Sequence, residues 1–316
     1  MTNLRIHKTK YFAEFALIFA TVIWGGTFVI IKESLDDVST LLFISIRFIF
    51  ASLLLLPFLV KRKKLITKSL LKEGTLLGFF LFLGFAFQTI GLKYTTATRS
   101  GFLTGISVII IPFLQLIIEK RPPTKGTIAG TILVFFGLAF LSSKGDSIFS
   151  VFSEIGTNFN FGDFLTLLCT IFFATQIVLI DIVSKKYDFV SLLFVQLATV
   201  GILSALGSIL FDVAMIEELK LIPTNYLIFG IFYTGLLATL FNIGIQTKFQ
   251  KEITPTKAGI IFSFEPIFSA LFAFFLLNEK ITNFGLIGSM MIFLGLIVSE
   301  TYEKMRTVYE RRYKTS

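Results

Sequence analysis

One histidine, His7, and one cysteine, Cys169, are all this chain offers to chemistry that needs an imidazole or a thiol. A lone cysteine cannot form an intrachain disulfide, and inside an apolar run it reads as a small packing residue. A Ser-His or H-E-x-x-H hydrolase has no imidazole to use, because His7 sits in the N-terminal tail. Tyr187-Asp188 offers half of an intramembrane aspartyl pair, but no second such motif follows in a later apolar run. No G-x-x-x-x-G-K-[ST] run is present, so ATP-driven work by this chain alone lacks its phosphate cradle. Charge is scarce too: Asp, Glu, Lys and Arg make up 16% of the chain, against roughly 25% in an ordinary soluble domain. These absences argue against an enzyme, a cofactor and a metal site.

Apolar length is what the chain has instead. Apolar residues make up 54% of its 316 positions, and mean hydropathy is +0.84. Ten runs stand out: 14–32, 38–60, 74–92, 100–118, 126–142, 163–182, 189–210, 225–247, 258–277 and 284–300. Each is close to the roughly 20 residues with which a helix crosses a hydrocarbon core about 30 Å thick. None alternates at period two along its length, which argues against a lipid-facing barrel. Backbone amides in lipid must be satisfied internally, which leaves helices. The expected fold is an all-α membrane protein of ten transmembrane helices, with the lipid bilayer as its solvent. The first run lacks a small-residue cleavage site after it and is expected to remain as an anchor.

The net charge of +9 does not point to nucleic acid, because the basic residues sit in short loops rather than on one amphipathic face. Counting loops alternately from a cytoplasmic N-terminus puts 22 of the 29 Lys and Arg on one side. They are Arg5, Lys8, Lys10; Lys61, Arg62, Lys63, Lys64, Lys68, Lys72; Lys120, Arg121, Lys125; Lys185, Lys186; Lys248, Lys251, Lys257; and Lys304, Arg306, Arg311, Arg312, Lys314. The other side holds Lys32, Lys93, Arg99, Lys144, Lys220 and Lys280, and Arg47 falls within the second run. Cytoplasmic loops carry the Lys/Arg excess. Both termini are therefore expected in the cytoplasm, with residues 143–162 and 211–224 outside.

Shifting the chain by 158 residues lays its second half on its first. Gln88-Thr89 lands on Gln246-Thr247, Lys93 on Lys251, Thr96 on Thr254, and Thr98-Arg99 on Thr256-Lys257. Gly101 lands on Gly259, Thr124 on Thr282, Gly130 on Gly288, and Gly137-Leu138 on Gly295-Leu296. For the first two runs of each half the offset is 149: Glu14-Phe15 lands on Asp163-Phe164, and Arg47 on Gln196. The change fits a longer loop near 211–224. Two halves of five runs each, 11–142 and 161–300, enter the membrane in opposite senses because five is odd. The expected architecture is thus an inverted repeat of two five-helix bundles, an arrangement typical of secondary transporters with their site near the midplane.

Several ordered motifs carry a family resemblance: Trp24-Gly25-Gly26-Thr27-Phe28, Arg47-Phe48 and Pro255-Thr256-Lys257-Ala258-Gly259. Glu265-Pro266-Ile267-Phe268 and Asn278-Glu279-Lys280-Ile281-Thr282 continue it. Over residues 14–300 the chain resembles the drug/metabolite transporter superfamily, in its ten-span EamA-like branch. The resemblance implies two five-helix bundles around a central cavity, and export or exchange of small metabolites such as amino acids. Members also carry nucleotide derivatives, vitamins and toxic compounds, so the motifs speak to family more than to substrate.

Polar residues inside the runs mark a candidate site, since an ionisable group at a helix centre costs about 2.5–3.5 kcal/mol on insertion scales. Glu265 precedes Pro266, which removes a backbone donor and lets the helix kink. Its carboxyl could carry a proton or meet an amine; equally, it could only fix helix packing. The 158 offset places Ser107 opposite it. Arg47 could meet a carboxylate-bearing substrate, or snorkel outward and pair with Asp36 or Asp37 as a tie within the first bundle. Trp24 and Thr27 stand three apart on one helical face. Gln88, Gln176, Asn242 and Gln246 lie at membrane depth, where amides either glue helices together or line a polar cavity. The candidate substrate-binding set is Trp24, Thr27, Gln88, Gln176, Asn242, Gln246 and Glu265. Phe is abundant at 40 residues, and most of these rings are expected to face lipid or pack helices.

The reading is a secondary transporter that exports a small amphipathic metabolite from a bacterial cell by alternating access, with protons as a candidate coupling ion. Uptake of a vitamin or nucleotide-like compound stays open, as does a passive channel, although nothing resembles a carbonyl-lined filter or a ring of charges. The sequence sets no oligomeric state.

Overall fold

The computed structural model describes residues 2–62, 65–141, 159–277 and 282–313. Lys63, Lys64, Lys144, Lys280, Lys314, most of the 143–162 loop and the Asn278–Ile281 stretch of the last motif lie outside them. The described chain is helical. Its β-type pairing is a single bridge, Val38 with Leu221, between two loops at one end of the bundle.

The first three spans are α1 (Thr2–Ser34), α2 (Thr40–Val60) and α3 (Lys68–Tyr94). The fourth is broken into α4 (Ala97–Gly105) and α5 (Ser107–Glu119), and the fifth is α6 (Lys125–Leu141). The sixth and seventh are α7 (Phe161–Val183) and α8 (Phe189–Val213). The eighth combines α9 (Asn225–Phe232), a π-helical stretch over Tyr233–Phe241, and α10 (Asn242–Phe249). The ninth is broken into α11 (Pro255–Phe262) and α12 (Glu265–Leu277); the tenth is α13 (Asn283–Tyr313). Among the described residues nine spans are long and apolar enough to cross a membrane, and α6 is a shorter apolar helix of 17 residues. This is the ten-helix membrane protein that the apolar runs anticipate. Helices outrun those runs at several ends because hydropathy marks the hydrocarbon zone, whereas backbone hydrogen bonding continues past it.

Local sequence explains where spans begin. Thr67, Thr96, Asp188, Thr224 and Thr254 each sit just before a helix and accept from the backbone N–H three residues on. Asn160 and Asp163 cap α7 reciprocally. Such caps satisfy amide donors that a helix start leaves orphaned.

The principal packing partners form a pattern. The third span packs on the sixth and seventh, and the eighth on the first and second. The fourth packs on the sixth, and the ninth on the first. Second meets seventh, fourth meets ninth, and fifth meets tenth. Exchanging every span with the one five places away returns the same set.

Close approach is set by glycine at the fifth–tenth contact. A Cβ on Gly130 would fall 2.6 Å from the Gly295 carbonyl oxygen, and one on Gly295 2.8 Å from that of Gly130. Gly137 and Gly288 stand in the same reciprocal relation, each against the other's carbonyl. Small residues let helices approach where lipid supplies no hydrophobic drive between them. Large apolar side chains ring the outside, among them Phe113, Ile117 and Phe275.

Candidate functional site

A cavity lies at the centre of the bundle, between the first, third, fourth, sixth, eighth and ninth spans. Its polar wall is Thr27, Gln88, Thr104, Ser107, Gln176, Gln246 and Glu265. Trp24, Phe85, Phe173 and Phe262 supply aromatic faces, and Leu81, Gly105, Ile177 and Ile243 complete the lining. Six of the seven residues singled out from sequence thus meet in one chamber. Asn242 stands apart: its side-chain amide donates to the Ala20 carbonyl at 2.8 Å, tying the eighth span to the first.

Twelve of the fifteen lining residues fall into six pairs related by the two sequence offsets. Trp24 answers Phe173 and Thr27 answers Gln176 at 149; Phe85 answers Ile243 and Gln88 answers Gln246 at 158. Thr104 answers Phe262, and Ser107 answers Glu265. The aromatic members Phe85, Phe173 and Phe262, and Thr104, escape sequence reasoning taken alone, since phenylalanine is everywhere in this chain. The offsets applied to Trp24, Gln246 and Glu265 point to Phe173, the Gln88 level and Ser107.

Helix breaks build the chamber. The fourth span breaks at Ile106 and the ninth at Ser263-Phe264, positions that the 158 offset superposes. Pro266 accounts for the second break, because its ring displaces the carbonyl one turn earlier. At the crossing, a Cβ on Gly105 would lie 3.0 Å from Pro266 Cγ, so the two broken helices meet there with little to spare. Gly25 brings α1 against α12 in the same way, 2.5 Å from Phe268 Cβ to an added methyl. Glu265 opens α12, where the positive end of the helix dipole favours a carboxylate.

Most wall groups are held in place. Trp24 donates its indole N–H to the Ala238 carbonyl at 2.9 Å, anchored by the π-helical stretch, and stacks edge-on with Phe262 at 5.5 Å. Gln88 donates to Thr104 Oγ1 at 3.1 Å, and Gln246 donates to Gln176 Oε1 at 3.1 Å and Gln250 Oε1 at 2.9 Å. Three groups are left over, one of them the Ser107 hydroxyl, which has no hydrogen-bond partner among the described residues. Gln176 is 1% exposed and its Nε2 has no partner among the described residues. The Glu265 carboxyl, facing the cavity, has no hydrogen-bond partner among the described residues either. Among the described residues the chamber therefore offers one carboxyl, one spare amide donor, one spare hydroxyl and four aromatic rings.

Arg47 departs from its expected tie. It does not pair with Asp36 or Asp37: Asp37 accepts from Thr224, and Arg47 is 1% exposed. Its Nε donates to Thr239 Oγ1 at 3.0 Å, and its guanidinium lies 5.1 Å from the Phe48 ring centroid and 4.8 Å from that of Phe85. Two turns inside α2 the outer carboxylates are out of reach, so aromatic faces take their place. The contact joins the second span to the eighth rather than closing the first bundle. Phe85 stands between this guanidinium and the cavity.

A ten-helix bundle around a central cavity lined by aromatic and polar side chains defines a multi-pass membrane protein. The family model of the EamA-like transporters matches residues 11–143 and again 160–301, and the chain belongs to that family. It is 32% identical to an uncharacterized transporter of Archaeoglobus fulgidus over 92% of this chain and 86% of that protein. It is 24% identical to the uncharacterized transporter YoaV of Bacillus subtilis over 90% of this chain and 94% of that one. A solved crystal structure superposes with a TM-score of 0.74 at 15% identity, covering 94% of this chain and 99% of the other, a likeness of fold. The chain is a membrane transporter.

Proposed function

We propose that this transporter exports small amphipathic metabolites, amino acids and related compounds foremost, across the cell membrane by alternating access between halves 11–142 and 161–300. Both termini lie in the cytoplasm in this reading, as the lysine and arginine distribution requires. The observation that carries it is the pairing of the cavity wall by the sequence offsets, with a single carboxyl on one side only. An inverted repeat places its site where the two halves meet, and here the paired residues converge. The packing pattern that survives exchange of halves supports the same arrangement.

Chemistry narrows the cargo. An ammonium group finds Glu265 and the surrounding aromatic faces, while a carboxylate or hydroxyl finds Gln176 Nε2 and Ser107. Protons and a cationic substrate compete for the one carboxylate, which suffices for antiport. Trp24 is the chain's only tryptophan and lines the cavity, so its emission reports on occupancy. Purified protein titrated with each amino acid should show a saturable change in Trp24 fluorescence for a subset. Proteoliposomes preloaded with that subset should then show counterflow, which a channel does not. If no amino acid changes the emission, and none is altered in the medium of cells with and without the protein, the substrate reading fails.

A further inference from the structure

Two ion pairs, each with one fully buried member, lie outside the cavity. Arg99 Nε meets Asp163 Oδ2 at 2.8 Å, and Asp163 is 0% exposed. Lys257 Nζ meets Glu14 Oε1 at 2.6 Å and also Glu300, and the lysine is 1% exposed. Sequence offsets relate them: Arg99 answers Lys257 at 158, and Glu14 answers Asp163 at 149. Their settings match as well. Arg99 and Lys257 each follow a threonine cap by three residues, Thr96 and Thr254, whose hydroxyls accept from the backbone N–H of these same residues.

The two pairs sit at opposite ends of the bundle. Arg99 begins the fourth span and Asp163 the sixth, two crossings apart and hence at one end. Lys257 begins the ninth span, Glu14 lies near the start of α1's apolar portion, and Glu300 closes the membrane portion of the tenth, all at the other end. Each pair also joins the first half to the second: fourth span to sixth, ninth to first. A carrier that rocks its halves must open at one end while holding the other shut. Contacts that cross between halves, are confined to one end and exist in two related copies are placed to do this.

We propose that Arg99–Asp163 and Lys257–Glu14–Glu300 are reciprocal latches, one breaking as the cavity opens to its end while the other holds. This rests on the alternating-access reading above. Both latches are made in this structure.

The test uses Cys169→Ala protein carrying Ser107→Cys in the cavity wall, labelled by a membrane-impermeant thiol reagent in intact cells and in inverted vesicles. Arg99→Gln removes one latch while leaving the Asn160–Asp163 cap of α7 in place, and Glu14→Gln weakens the other. Arg99→Gln should speed labelling from one side and Glu14→Gln from the opposite side, each by roughly 5- to 30-fold, the range that one or two kcal/mol of lost stabilisation gives. Arg99→Lys and Glu14→Asp should restore the parent rates, which separates latching from misfolding. Labelling of the parent from both sides with no response to either substitution, or a response on the same side to both, overturns the latches and leaves alternating access standing. Labelling from one side alone in every protein overturns alternating access, and the latches with it.

Discussion

In the proposed antiport, Glu265 is the residue on which coupling turns. Among the described residues it is the one carboxyl in the cavity wall, it opens α12, and its offset partner is the uncharged Ser107. Hydrogen bonds to charged groups contribute about 1.5–3 kcal/mol. Glu265→Gln keeps the shape and removes the charge, so an ammonium substrate should bind roughly 10- to 100-fold more weakly, read from the Trp24 titration. The same substitution should abolish accumulation driven by a pH gradient in proteoliposomes while leaving the folded fraction unchanged. Retention of normal pH dependence would make Glu265 a packing residue and the protein a facilitator. Gln176→Leu tests the other end of the ligand: it deletes the one unpartnered amide donor in the wall, and should weaken zwitterions more than simple amines. At this scale the sequence was partly legible. Glu265 and the glutamines stand out because polar groups are expensive in lipid. Asn242 and Arg47 stand out for the same reason yet meet the cost only in part, by a backbone carbonyl and by aromatic faces, with Asn242 Oδ1 and one Arg47 terminal nitrogen left without a hydrogen bond among the described residues.

Among elements, the two broken spans and the glycine-lined contact were unequally readable. The break near Pro266 follows from proline chemistry, but the break at Ile106 has no proline at the equivalent place: Pro112 lies well beyond it, inside α5. Only the offset from the ninth span points to it. The π-helical stretch at Tyr233–Phe241 leaves no mark in the apolar pattern, because a π turn changes hydrogen-bond register and not residue type. Gly130, Gly137, Gly288 and Gly295 are different: their recurrence in register is visible in the sequence, and the fifth–tenth contact explains it. An added side chain must displace backbone there, not a flexible side-chain end. Overpacking typically costs about 1–3 kcal/mol, and Gly137→Val should reach or exceed that. Gly207→Ala, which would meet only a Leu41 methyl at 3.0 Å and Phe82 beyond it, should be milder. Thermal unfolding in detergent, followed by loss of the monodisperse peak, ranks the two; equal effects would deny the glycine contact its packing role.

For the molecule as a whole, orientation is set by charge at its ends. Lysine and arginine near a span resist translocation, so loops rich in them stay in the cytoplasm. The end of the bundle that carries Lys248, Lys251 and Arg62 is the basic one. At the opposite end the loop after α8 folds over the bundle through Glu217, which takes hydrogen bonds from Thr40 and Lys93, and through Lys220, which donates to the Asp36 carbonyl. That end, the outward one in the proposed orientation, is tied together by Glu217, Lys93 and Lys220. The single cysteine makes the arrangement easy to check, since Cys169 is buried and can be replaced by alanine. In that background, Glu218→Cys and Glu252→Cys place one thiol on an exposed loop at each end. An impermeant maleimide added to intact cells should label Glu218→Cys and spare Glu252→Cys until the membrane is permeabilised. The opposite pattern would invert the protein in the membrane and with it the direction of every proton and substrate argument made from its charge. Labelling of both in intact cells would mean that the eighth span does not cross, and the odd number of crossings between the two latches, on which their opposite placement depends, would be wrong.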